Sequence, residues 1–99
     1  MRELFHPGAE QLNLSAVLHA LGDPIRLEII RKLACSPETT CSCCQINLPK
    51  SALSHHFKVL RESGLIYVRI EGKQHFLSIR YQDLDGRFPG LLNAILKSI

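Results

Sequence analysis

The sequence predicts a mainly α fold that carries one β-hairpin, and three observations support that expectation. Apolar residues recur at helical spacing in Leu14, Val17, Leu18 and Leu21, in Ile25, Ile29, Ile30 and Leu33, and in Leu53, Phe57 and Leu60. Between Ile66 and Arg80 the pattern changes to strict alternation, the period of a strand. Helix punctuation falls between these runs, at Gly22-Asp23-Pro24, Pro49 and Gly64.

A chain of 99 residues has room for a single domain, residues 1–99. A domain of that size buries roughly 60–70% of its unfolded surface. Hydrophobic residues make up 45% of the chain against 21% charged, enough apolar material for a packed core and too much for a disordered chain.

Met1 to Gly8 shows no period and reads as a loose arm. A first helix is expected over Ala9 to Leu21, with its apolar stripe on Leu14, Val17, Leu18 and Leu21. Gly22 stops it, and Asp23-Pro24 opens a second helix with a capping carboxylate and a proline at the first helical position. Ile25, Ile29, Ile30 and Leu33 face inward there, Arg26, Arg31 and Lys32 belong to the polar side, and Ser36-Pro37 ends the run. Thr39 or Thr40 is expected to cap a short third helix, Cys41 to about Ile46.

The next helix follows within a few residues, from Pro49 at its first position to Gly64 as its left-handed terminator. It divides cleanly: Leu53, Phe57 and Leu60 on one stripe, Ser51, Ser54, His55 and Lys58 opposite. Two helices joined by so short a turn, the second polar on its outer face, form a helix-turn-helix, and such a second helix fits a major groove. Ile66, Val68 and Ile70 then alternate with Tyr67 and Arg69, and His75, Leu77 and Ile79 with Phe76, Ser78 and Arg80, with Glu71-Gly72-Lys73 as the turn, so a hairpin wing follows. Asp83 to Gly90, with Gly86, Pro89 and Gly90, is expected to break regular structure before a final helix marked by Leu92, Ile95, Leu96 and Ile99.

The net charge is only +3, but between Lys50 and Arg80 six Lys/Arg face only Glu62 and Glu71, a local balance of +4. That excess suits a polyanion, though a solvated basic face has the same composition. No apolar run approaches the roughly 18–20 residues of a membrane span, and Met1 to Glu10 lacks the layout of a secretory signal. A cytoplasmic protein with no membrane partner is therefore expected, its four cysteines reduced.

The segments ALGDPIRLEIIRKL, LSHHFKVLRESGLI and EGKQHFLSIR, in that order over Ala20 to Arg80, resemble the ArsR/SmtB family of winged helix-turn-helix transcriptional repressors. The resemblance implies a homodimer that sits on double-stranded operator DNA and leaves it when an inducer binds. It places Lys50, Ser51, Ala52, Ser54 and His55 toward the groove and Lys58 near phosphate, largely the set chosen by periodicity. Lys50 suits guanine O6 or N7, the hydroxyls and His55 suit base edges or phosphate, and Ala52 suits a thymine methyl. His56, at the edge of the apolar stripe, reads as a packed, hydrogen-bonded histidine. Arg69 and Lys73, flanking the hairpin tip, suit the DNA backbone or minor groove. In the family the first and last helices form the dimer seam, which here implicates Leu14, Val17, Leu18 and Leu21 with Leu92, Ile95, Leu96 and Ile99; the alternative is that both stripes cover the core of one chain.

The family's inducer sites fit less well. The version with His and carboxylate ligands on the last helix finds no His or Cys between Tyr81 and Ile99, and the version with N-terminal cysteines finds none between Met1 and Ala34. Of the C-x-C-x-x-C version, Cys41 and Cys43 match, but Ile46 takes the third place. Cys35, Cys41, Cys43 and Cys44 therefore carry two readings: packing or incidental thiols, and a thiophilic metal or redox switch. A thiol module without its own operator is the competing function. Enzyme chemistry has no support, since His19, His55, His56 and His75 are scattered and neither a phosphate-binding glycine loop nor a carboxylate pair at pocket-forming spacing occurs.

Overall fold

The computed structural model describes residues 4–35, 39–40 and 46–99. The chain runs through a 3-10 turn (Ala9–Gln11), α1 (Leu14–Leu21), α2 (Pro24–Ala34), β1 (Thr39–Thr40), α3 (Lys50–Glu62), β2 (Ile66–Glu71), β3 (Gln74–Ile79), α4 (Tyr81–Arg87) and α5 (Leu91–Ser98). The strands form one antiparallel sheet in the order β1-β3-β2. Buried side chains from all five helices or their approaches and from β2 and β3 meet in one cluster, with Ile29, Ile30, Leu60, Ile66 and Leu77 fully enclosed. This is the winged-helix arrangement the alternating periods predict.

The expected first helix is broken. Leu12 is extended and buried instead of helical, and Asn13 restarts the chain by accepting a hydrogen bond from the Ala16 N–H at 3.1 Å. An asparagine side chain competes with helix continuation by capping, and here it wins because Leu12 gains a core position. The Asp23 expectation holds: its carboxylate accepts from the N–H groups of Ile25 and Arg26 at 2.8 and 3.1 Å, with Pro24 at the first helical position. Arg26, assigned to the polar side, is instead buried at 8% exposure.

Thr39 and Thr40, expected as candidate helix caps, pair with Leu77 and Phe76 as a short outer strand. The expected helix from Cys41 lies outside the described residues apart from Ile46, which is in no regular element. Pro49 stands one residue earlier than expected, as the N-cap of α3. At the other end Gly64 has φ +90°, and Leu65 N–H reaches back to the Leu60 carbonyl at 3.1 Å, the closing bond of a left-handed helix terminus. The hairpin turn is two residues, Gly72-Lys73, because Glu71 still pairs with Gln74, and Gly72 supplies the positive φ.

The segment after the hairpin is helical, contrary to expectation. Three tertiary ties hold α4: Leu84 is buried, Asp83 accepts from the Tyr67 hydroxyl at 3.0 Å, and Arg87 Nη2 donates to the Leu12 carbonyl at 2.7 Å. Tertiary packing here overrides the poor helix propensity of Gly86.

Gly64 is where α3, β2 and the incoming arm converge, for a Cβ there would lie 2.0 Å from Leu12 Cδ2. Gly64→Ala should therefore cost about 2–4 kcal/mol, combining left-handed strain with overpacking. Gly86→Ala, in open space within a helix, should gain about 0.5–1 kcal/mol. Chemical denaturation of the two variants at equal protein concentration checks both, and similar effects of the two would remove the Gly64 joint from the account.

Candidate nucleic-acid interface

The candidate site is the outer face of α3 together with the hairpin beside it. The helix turns its apolar stripe inward: Leu60 is fully buried, and Leu53 and Phe57 are partly buried. With that face anchored, helical geometry directs Lys50, Ser51, Ser54, His55 and Lys58 into solvent, and all five are exposed. Ala52 is half-buried at the margin. Pro49 offers no side-chain cap of its own to the first N–H groups of α3, which begins at Lys50 and Ser51.

Between α3 and the hairpin lies a cleft of about 600 Å³ whose lining combines apolar side chains, among them Leu53, Phe57, Val68 and Leu77, with cations on both walls. Lys50, Lys58 and Arg61 stand on the helix side, and Lys73, Gln74 and His75 on the hairpin side. Arg61, Gln74 and His75 were not expected at the site; Arg61 counted only toward the basic excess, and Gln74 and His75 only as the start of the second strand. Lys73 occupies the turn itself. Arg69 is braced along the hairpin, ion-paired with Glu71 and with its guanidinium 4.4 Å over the Phe76 ring.

The hairpin is supported from below by a polar network. Asp83 accepts from Arg80 and from the Tyr67 hydroxyl at 3.0 Å each, while the Arg80 guanidinium lies 4.5 Å over the Tyr67 ring. The hydrogen bond from Arg80, joined by that from Tyr67, holds the Asp83 carboxyl below its ordinary value. The N-terminal arm closes the other side: Arg61 Nη1 donates to the Phe5 carbonyl at 2.6 Å, and Val68 N–H donates to His6 Nε2 at 3.0 Å. The arm, read as loose from sequence, thus protects an N–H of the sheet's edge strand.

His56 is partly buried and hydrogen-bonded to Arg26, the role expected of it. Cys35 is exposed at the end of α2, its thiol 3.5 Å from the Arg31 carbonyl, whereas Cys41, Cys43 and Cys44 lie outside the described residues. Among the described residues, no group of three His, Cys, Asp or Glu is placed to hold a metal ion, and no helix is long and apolar enough to cross a membrane.

On the terminal helices the structure divides the eight apolar residues. Val17, Leu21 and Leu92 are committed to the core, Ile95 and Leu96 are half-buried, and Leu14, Leu18 and Ile99 remain 47%, 48% and 40% exposed.

A helix with a basic and hydroxylated outer face, followed by a two-stranded wing, defines a winged-helix DNA-binding regulator. The profile described as bacterial regulatory protein, arsR family, matches residues 23–68. The chain is 35% identical to the HTH-type transcriptional regulator YceK of Bacillus subtilis (strain 168), over 80% of this chain and 82% of that protein. It is 34% identical to an arsenical resistance operon repressor of Staphylococcus xylosus, over 73% and 70% of the two. Among solved structures, the transcriptional repressor BigR from Xylella fastidiosa superposes with a TM-score of 0.67 at 27% identity, covering 87% of this chain and 85% of that one. The chain belongs to the arsR family of bacterial regulatory proteins, and it is a DNA-binding transcriptional regulator.

Burial of His6, aided by the positive charges of Arg61 and Arg80, holds its imidazole below the ordinary value of 6.5. The unfolded chain therefore takes up this proton first as pH falls, so the stability contribution is full above about pH 6.5 and is lost through the depressed folded value. His6→Gln, whose amide oxygen can accept from Val68 without titrating, should show a flatter stability profile than the wild type between about pH 7 and 5. Superimposable profiles from thermal melts would mean that the arm's bond is not linked to protons.

Proposed function

We propose that the chain is a homodimeric repressor that reads a two-fold symmetric operator with α3 in the major groove, the hairpin along the adjoining backbone or minor groove, and an inducer that releases it. The observation that carries this reading is the simultaneous exposure of Lys50, Ser51, Ser54, His55 and Lys58 on a helix whose opposite face is locked into the core. Ala52 adds an apolar contact at the margin, and Lys73 with the braced Arg69 supplies positive charge on the wing. Both the S. xylosus relative and BigR are repressors. The convergence of cations from α3 and the hairpin on one cleft favours a polyanion over a neutral partner.

The second copy is the occupant we assign to the apolar surface of the terminal helices. Leu14, Leu18 and Ile99 project from α1 and α5, and a recess of about 370 Å³ walled by Leu18, Leu27, Ile95 and Ile99 lies between them. One copy offers one reading helix, so a palindromic site demands a two-fold partner, with the two α3 helices about 34–36 Å apart. Val17, Leu21 and Leu92, expected in the seam, belong to the core, and the seam proposed here rests on the residues left outside.

Selection of bound duplexes from random DNA by the wild-type protein should recover a palindrome. Against that duplex, Ser54→Ala with His55→Ala should lose about 1–3 kcal/mol at the contacted pairs, while Lys58→Ala should weaken all sequences alike and lower the log–log salt slope by about one. Unchanged affinity and slope in folded variants would reject this face.

Leu18→Lys places its charge in solvent in a single chain and in a dry seam in the dimer. Sedimentation should show a dimeric wild type and a folded monomeric variant, the latter losing about 10²–10⁴ in operator affinity as the two half-sites uncouple. A wild type that sediments as a monomer at micromolar concentration would overturn the symmetric model.

A further inference from the structure

Arg26 is a buried charge that DNA contact does not account for. It stands three residues past the N-cap of α2, yet its side chain serves two other helices. Nε donates to the Ala20 carbonyl at 2.5 Å, whose i+4 residue Pro24 has no N–H to offer, and Nη2 lies 3.4 Å from the His19 carbonyl, which also accepts from the Gly22 N–H at 3.2 Å; both carbonyls are in the last turn of α1. A cation there is also favoured by the helix dipole. Nη1 contacts His56 Nδ1 on α3 at 3.2 Å, thirty positions away in the chain. A guanidinium has donors only, so His56 Nδ1 must accept, which places the ring proton on Nε2.

Packing alone does not call for this arrangement. A leucine at position 56 would extend the stripe of Leu53, Phe57 and Leu60, and burying a charge to reach a single ring nitrogen costs desolvation that a hydrophobic pair would not. What the contact adds is direction. The planar fork is already fixed by two carbonyls of α1 and by the start of α2, so its third arm can meet His56 at only one rotation of α3 about its axis. His56 follows His55 directly, with the two rings 6.0 Å apart, and lies two residues from Ser54. We propose that Arg26 and His56 are positioning residues for DNA reading: they set the rotation of α3 relative to the α1–α2 corner and thereby aim Ser54 and His55. The proposal rests on the reading of α3 as the DNA-facing helix. It also ties α3 to α1, the helix that carries the exposed Leu14 and Leu18.

The test uses the duplex selected by the wild-type protein and a scrambled duplex of equal length. His56→Leu removes the acceptor. His56→Asn keeps one, because the asparagine Oδ1 is bonded to Cγ as Nδ1 is in histidine. Arg26→Lys keeps the charge but not the fork. His56→Leu and Arg26→Lys should each lower the ratio of selected to scrambled affinity by about tenfold, the size of one lost base contact, while scrambled binding stays within about twofold. The double variant should be no worse than either single one, and His56→Asn should stay near the wild type. A purely structural role predicts instead that both affinities fall together with the folded fraction measured by circular dichroism; that result, or a folded His56→Asn as impaired as His56→Leu, or a folded His56→Leu with wild-type discrimination, overturns the proposal. Ser54→Ala with His55→Ala runs in parallel, and an undiminished ratio in that control refutes the underlying DNA-facing assignment independently of Arg26.

Discussion

A thirteen-residue helix that must bury one face and leave the other in water sets the terms for most of this molecule. Leu60 can be enclosed only because α2 and the sheet supply an apolar bed, and losing such a side chain to alanine typically costs about 2–5 kcal/mol. The outer face is then determined, since on a helix the residues opposite Leu53, Phe57 and Leu60 have nowhere to go but solvent. Function and folding are thus coupled at α3: the same apolar contacts that stabilise the chain decide which polar groups it displays.

The elements around α3 each restrict one of its remaining freedoms. Its C-terminal end is held by Gly64, where the left-handed backbone and the approach of Leu12 leave no room for a side chain. Its rotation is constrained by Arg26, and its flank by Arg61, which binds the arm at Phe5. The hairpin rests on the Tyr67-Asp83-Arg80 network and on the His6 bond to Val68. A rigid scaffold presenting a polar surface is what precise recognition requires, because each loosely held contact would pay its own ordering entropy on binding.

Much of this was legible in the sequence. Asp23-Pro24, Gly64 and the alternation from Ile66 to Ile79 carry local signals strong enough to place α2, the end of α3 and the hairpin. The outer face of α3 was legible for the same reason, since 3.6-residue periodicity assigns both sides of a helix at once. The failures share a different cause. Arg26 looked polar because a single chain does not reveal that two carbonyls of α1 and a histidine thirty residues later will surround it. Thr39-Thr40 became a strand through pairing with β3, and α4 formed across Gly86 because Asp83 met Tyr67, Arg87 met Leu12 and Leu84 entered the core. Leu12 broke an apparently continuous helix by taking a core position. The stripes of the terminal helices showed that they would be buried, but not that Val17, Leu21 and Leu92 would be covered by their own chain while Leu14, Leu18 and Ile99 would not.

The central claim is that α3 and the hairpin, not the terminal helices, meet DNA. Backbone amide shifts followed by NMR during titration with the selected duplex test it most directly. The account predicts the largest changes at Lys50 to Lys58 and around Lys73, with little change at Leu14 to Leu21 and Leu91 to Ser98. Shifts concentrated on α1 and α5 with a silent α3 would contradict it.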